Sequence, residues 1–116
     1  MSPDPAGAPD RTTAADAGSF DEIVHAPVRL RVCGMLAAAD EVEFSVVRDA
    51  VGVSDATLSK HLRVLTEAGY AEARKAASRS RDDARRLTWL RLTLAGRRAF
   101  SRHVAALRAI AEGVVG

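Results

Sequence analysis

The sequence predicts a mainly α-helical domain that carries one small β-hairpin. Three observations predict it. Apolar residues recur at helical spacing in several stretches between Phe20 and Glu112. Two short alternating segments, Y-A-E-A-R-K (70–75) and L-T-W-L-R-L (87–92), read as a pair of antiparallel strands. Serines, a threonine and glycines stand where helices should begin and end.

Taken in order, residues 1–18 contain three prolines, two glycines and no large apolar side chain beyond Met1. Such a segment cannot offset the entropy of its own ordering, so it is expected to be a disordered tail, with the domain spanning 19–116. Ser19 with Glu22 has the spacing of a capping box for a short helix over Phe20–His25. Pro27 fits the first turn of a second helix, or a kink between two. From Val28 to Ala39 the apolar positions Leu30, Val32, Cys33, Met35 and Leu36 keep helical spacing, and Asp40 and Glu41 end it. Val42-Glu43-Phe44 is a candidate short strand. Ser45 is expected to cap a helix over Val46–Val51, and Gly52 to take the left-handed position behind it.

Ser54 caps the next predicted helix, Asp55–Ala68, with Asp55 favourable at the positive end of the helix. Leu58, Leu62 and Leu65 form one face, and Gly69 stops the helix. Between the two predicted strands lies an 11-residue polar stretch, A-A-S-R-S-R-D-D-A-R-R (76–86). Thr93 caps a last helix, Leu94–Glu112, on which Phe100, Val104, Leu107 and Ala111 recur at helical spacing.

The length suits one domain, and 47% hydrophobic with 28% charged residues is a globular composition. A single cysteine, Cys33, excludes an intramolecular disulfide. No stretch reaches the roughly 18 apolar residues of a membrane span, and no basic segment followed by an apolar run begins the chain. The expected compartment is the cytoplasm, and no membrane partner is expected. Charge is unevenly placed. Residues 1–22 hold five acids and one base, whereas residues 23–116 hold 16 bases and 10 acids. A basic domain favours nucleic acid or another anionic surface as partner. There is no Ser-His-Asp set, no Gly-rich phosphate loop and no paired carboxylates in a plausible cleft, so the sequence does not read as an enzyme.

Two short helices joined by G-V-S make a helix-turn-helix. Behind the leucine face of the second helix lie Ser54, Ala56, Thr57, Ser59, Lys60 and Arg63. Small side chains let the backbone approach a duplex, and Lys and Arg reach base edges or phosphates in the major groove. The hairpin turns this into a winged helix. Arg74, Lys75, Arg79, Arg81, Arg85 and Arg86 are its candidate contacts, since arginine suits the negative potential of a narrow minor groove. The bland alternative is a solvated charged surface, and Asp82 and Asp83 partly cancel the field of the tip.

The segments H-A-P-V-R-L-R-V (25–32), F-S-V-V-R-D-A-V-G-V-S (44–54), L-S-K-H-L-R-V-L-T-E-A-G-Y (58–70), R-K-A (74–76) and R-L-T-W-L-R-L-T-L-A-G-R (86–97) resemble the winged-helix regulators of the MarR and ArsR type, in particular their short single-domain branch. The resemblance spans His25–Arg98. It implies a homodimeric bacterial transcription regulator, usually a repressor released by an effector. The chain departs from the metal-sensing ArsR pattern, which carries Cys-x-Cys on the first helix of the helix-turn-helix; none stands there. His103 has Ala106 and Leu107 at i+3 and i+4, so no metal and no cofactor are expected. Typical MarR proteins are also longer, with more material for a ligand cleft.

Other candidates have plain readings. His61 lies beside the leucine face and is expected to pack or to touch phosphate. Cys33 falls on an apolar face and is expected to be inert core rather than a redox sensor. Trp89 is expected to be a packing anchor for the hairpin, with the lining of an effector pocket as the alternative. The apolar stripe of the last helix extends past the expected core, so Phe20, Ile23, Phe100, Val104, Leu107 and Ile110 form the expected dimer interface. A two-fold dimer implies a pseudo-palindromic duplex with half-sites about 10 bp apart. The competing reading is a winged-helix protein-interaction module or a non-specific DNA binder.

Overall fold

The computed structural model describes residues 20–77 and 86–113. The expected tail and the tip of the hairpin lie outside them, as does Ser19. The chain order is α1 (Glu22–His25), α2 (Pro27–Ala37), β1 (Val42–Glu43), α3 (Phe44–Val51), α4 (Asp55–Glu67), β2 (Ala71–Ala77), β3 (Arg86–Leu92) and α5 (Leu94–Ala111). The three strands form one antiparallel sheet in the order β1-β3-β2. Among the described residues, no helix is long and apolar enough to cross a membrane.

The helices begin and end for identifiable reasons. Asp21 caps α1, accepting from the N–H groups of Ile23 and Val24 at 2.8 and 3.1 Å. A carboxylate at this position satisfies two of the free donors of the first turn. Pro27 opens α2, with Ala26 as the joint between the two helices. Helix α3 starts at Phe44, two residues before the expected Val46. Its cap is Glu43, whose carboxylate accepts from Ser45 N–H at 3.1 Å and from the Ser45 hydroxyl. Ser45 is thus a donor inside the first turn and not the cap, because the longer Glu43 reaches over it. Gly52 ends α3 at φ 80°, a left-handed conformation that glycine takes without a Cβ penalty.

Two arginines close helix ends elsewhere. Arg31 donates to the carbonyls of Ala50 and Val51 at the end of α3. Arg97 donates to the carbonyls of Leu36, Ala37 and Ala39 at the end of α2. Cations at these positions oppose the negative helix end and satisfy orphan acceptors.

The core joins Val24, Val32, Cys33, Leu36, Val47, Leu58, Leu62, Leu65, Leu90 and Leu92. Each fully buried leucine among them contributes roughly 1.5–3 kcal/mol relative to exposure. In β3 the buried Leu90 and Leu92 alternate with Trp89 and Arg91, the period of a strand covered on one face. Strand β1 is two residues long and pairs Val42 with Leu90 and Glu43 with Trp89. The hairpin reaches further than the alternation suggested. Its register runs from Ala71 opposite Leu92 to Ala77 opposite Arg86.

Helix α5 buries Gly96, Ala99, His103 and Ala106. The expected stripe of Phe100, Val104 and Leu107 lies on its flank, half-buried, and Ile110 is 56% exposed. Small residues face the core because α5 packs closely on the chain beneath it. A Cβ on Gly96 would collide with the carbonyl of Tyr70.

Candidate nucleic-acid interface

Helix α4 has two faces. Leu58, Leu62 and Leu65 are buried, while Ala56, Ser59, Lys60 and Arg63 are exposed. The exposed residues are spaced i, i+3, i+4 and i+7, so they share one stripe along the helix. The structure therefore brings together four of the six expected residues of this helix as an open surface. The other two build its start. Ser54 Oγ accepts from Thr57 N–H at 3.1 Å and donates to Thr57 Oγ1 at 3.0 Å. Thr57 is half-buried.

Arg48 bridges the turn between α3 and α4. Its guanidinium bonds Asp49 at 2.8 Å and Asp55, the first residue of α4, at 2.9 Å. Sequence spacing alone did not single out Arg48, because its partner stands seven residues away across the turn. A further contact holds α4 from behind. Arg29 of α2 donates from Nε to Ile23 O at 2.5 Å and lies with Nη1 3.0 Å from His61 Nδ1. The imidazole accepts there, so His61 is neutral in this arrangement. Burial, then the charges of Arg29 and Lys60, push its pKa down. His61 thus packs against an arginine of its own chain.

The wing follows α4 in the chain. Arg74 and Lys75 project from β2, both exposed. Arg74 is bound by both oxygens of Glu41, at 2.7 and 2.8 Å, and this pair holds the Glu41 carboxyl below its ordinary range. Lys75 Nζ approaches Thr88 Oγ1 at 3.4 Å. Arg91 lies 3.6 Å from Glu72. Arg86 is placed by its backbone, opposite Ala77. Arg79, Arg81 and Arg85 lie outside the described residues. Trp89, half-buried, lines a shallow cleft with Glu41, Glu72, Arg74 and Arg91 on the outer side of the sheet.

Cys33 is fully buried, and burial pushes its thiol up to about 11. At neutral pH it is a protonated core side chain.

A helix-turn-helix with an exposed basic stripe on its second helix, followed by a paired hairpin, defines a winged-helix DNA-binding protein. Residues 28–111 match the family model described as a winged helix DNA-binding domain. The chain belongs to that family. An uncharacterized protein of Methanocaldococcus jannaschii is 26% identical over 83 residues, which cover 72% of this chain and 86% of that protein. Among solved structures, a transcriptional regulator homologue from Pyrococcus horikoshii OT3 matches with a TM-score of 0.72 at 24% identity, over 83% of this chain and 91% of that one. A MarR-family transcriptional regulator from Silicibacter pomeroyi matches at 0.56 and 21% identity, over 94% and 64%. The PcaV transcriptional regulator from Streptomyces coelicolor, solved with its natural ligand, matches at 0.59 and 22%, over 97% and 80%. At these identities the structural matches establish the shared fold.

Proposed function

We propose that the protein is a sequence-specific, homodimeric transcriptional regulator, acting as a repressor in the cytoplasm. The reading is carried by one observation: α4 turns its three leucines into the core and leaves Ala56, Ser59, Lys60 and Arg63 open on a continuous stripe. In this reading the stripe enters the major groove, and Lys60 and Arg63 meet base edges or phosphates. The wing arginines follow the backbone toward the minor groove. Arg74 joins them only by leaving Glu41.

Dimer formation through α1 and α5 is supported by what those helices leave uncovered. Phe20 is 41% and Ile110 56% exposed, and Val104 and Leu107 are half-buried on the flank of α5. Ile23 and Phe100 of the same expected set pack onto the core and would form the floor of the interface. Two copies would then face a pseudo-palindromic site with half-sites about 10 bp apart. The ligand in the PcaV structure supports a small-molecule effector here as well, of unassigned chemistry.

The test is an anisotropy titration with a labelled duplex from upstream of the protein's own gene and a scrambled duplex. Both are measured at low and physiological salt. A preference of about a thousandfold that survives the higher salt supports the reading. Equal binding to both, erased by salt, assigns a general DNA binder or a docking module instead.

A further inference from the structure

The buried side of α5 carries a hydrogen-bond arrangement with no place for another proton. His103 is wholly buried. Its Nδ1 accepts from Asp21 N–H at 2.9 Å, so the neutral ring holds its hydrogen on Nε2. That hydrogen points to His25 Nδ1, 3.2 Å away. Phe20 lies against both rings, with centroids 4.5 Å from His25 and 4.7 Å from His103. Asp21 completes the joint. It caps α1 through Oδ1 and accepts from the Tyr70 hydroxyl through Oδ2 at 2.7 Å.

Adding a proton breaks this network by any route. On His103 it converts Nδ1 into a donor facing the Asp21 N–H. On His25 it converts Nδ1 into a donor facing the His103 Nε2–H. Shifting His103 to its other tautomer relieves that clash only by creating the first. Two protons would place two cations in contact.

We propose that the His25–His103 pair is an acid-sensitive latch that holds α1 on α5. The consequence extends to α4, because the α1 carbonyl of Ile23 fixes Arg29, which meets His61. The latch concerns α1 itself and stands whether or not α4 reads DNA. Its α1 half, with His25, precedes the family-matched span 28–111, whereas His103 lies within that span.

Burial favours this sign against the nearby carboxylates. Burial and then His25 push the His103 pKa down, against the pull of Asp21 and Glu22. Tyr70, raised to about 12, and Cys33, raised to about 11, stay protonated across the relevant range. Of the neighbouring cations, Arg29 bears on Cys33 and Arg102 on Tyr70. A base whose folded value is depressed contributes its full stability above the unfolded value of about 6.5. That contribution fades as pH falls toward the folded value.

Hydrogen exchange of the full chain by NMR tests the latch, with rates corrected for the intrinsic pH dependence. Between about pH 7.5 and 5, protection of the Ile23, Val24 and His25 amides should fall roughly tenfold or more while Leu62 and Leu65 stay protected. In His103→Asn, whose Oδ1 replaces Nδ1 as an acceptor that cannot be protonated, the profile should be flat. Unchanged α1 protection, a pH response that persists in His103→Asn, or simultaneous opening of the α4 core amides would each overturn the proposal. Should that variant not fold, the wild-type His103 ring decides. A midpoint below the ordinary value, coincident with α1 opening, supports the latch, and an ordinary midpoint with α1 unmoved defeats it.

Discussion

Arg74 and Glu41 face each other across the base of the wing, joined by two hydrogen bonds of 2.7 and 2.8 Å. Glu41 belongs to the turn before β1, so an acid from outside the hairpin occupies a cation otherwise free for phosphate. Releasing that cation has a measurable result. Glu41→Gln should raise DNA affinity and steepen its dependence on log salt by about one. An unchanged slope would mean that Arg74 does not reach the backbone.

Lys60 and Arg63 are exposed on the open stripe of α4. Lys60→Ala and Arg63→Ala should leave thermal stability nearly unchanged and weaken operator binding by roughly tenfold or more. A change in sequence preference assigns base contact. An even loss across sequences, with a salt slope reduced by about one, assigns phosphate contact. Wild-type affinity in both variants would disqualify α4 as the recognition helix.

Leu107 and Ile110 are the outward apolar residues at the far end of α5. Leu107→Glu and Ile110→Glu should convert a dimer to monomer in analytical ultracentrifugation, because a charge in the centre of an apolar interface is left unpaired. A monomeric wild type, or a dimer indifferent to both changes, would locate the interface elsewhere.

Gly96 lies where α5 crosses the Tyr70 backbone. Gly96→Ala forces its Cβ into a carbonyl that cannot rotate away, since Tyr70 O also accepts from Thr93 N–H at 3.0 Å. The expected cost is about 1–3 kcal/mol or more, read from the urea midpoint. The usual gain of alanine over glycine in a helix is too small to offset it.

Tyr70 should impose an alkaline limit. Burial, then its bond to Asp21, raise the phenol to about 12. An acid with a raised folded value contributes stability below its unfolded value, near 10, which is lost as pH climbs toward 12. Denaturation measured across that range should show the decline, and Tyr70→Phe should lessen it.

The helices were legible because their leucines and valines repeat at the period of an α-helix, and their stops because Gly52 and Gly69 stand where a left-handed residue is needed. The orientation of α5 was not. Phe100, Val104 and Leu107 are the large apolar residues and dominate any pattern, whereas the core side is Gly96, Ala99, His103 and Ala106. Close packing selects small residues there, and hydrophobicity does not register smallness. His103 carried no local signal either, since its partners Asp21 and His25 are some eighty residues away in sequence. Strand β1 was expected over Val42–Phe44 and forms over Val42–Glu43, but its pairing with β3 could not be read from so short a segment. Four residues of the exposed stripe of α4 were readable, because the residues of a single helix share a face by spacing, whereas Ser54 and Thr57 were expected beside them and build the helix start.

Glu43 serves two elements at once. As a strand residue it pairs with Trp89, and as a cap it starts α3. The hairpin and the helix-turn-helix are therefore spliced at one residue, and β3 is tied on both its edges. A slip of one position along β3 would turn Leu90 and Leu92 out of the core and pull the cap from α3 with them. The hinge end of the hairpin is therefore fixed by the fold, and a change of length there would be felt in the sheet and in the helix-turn-helix together.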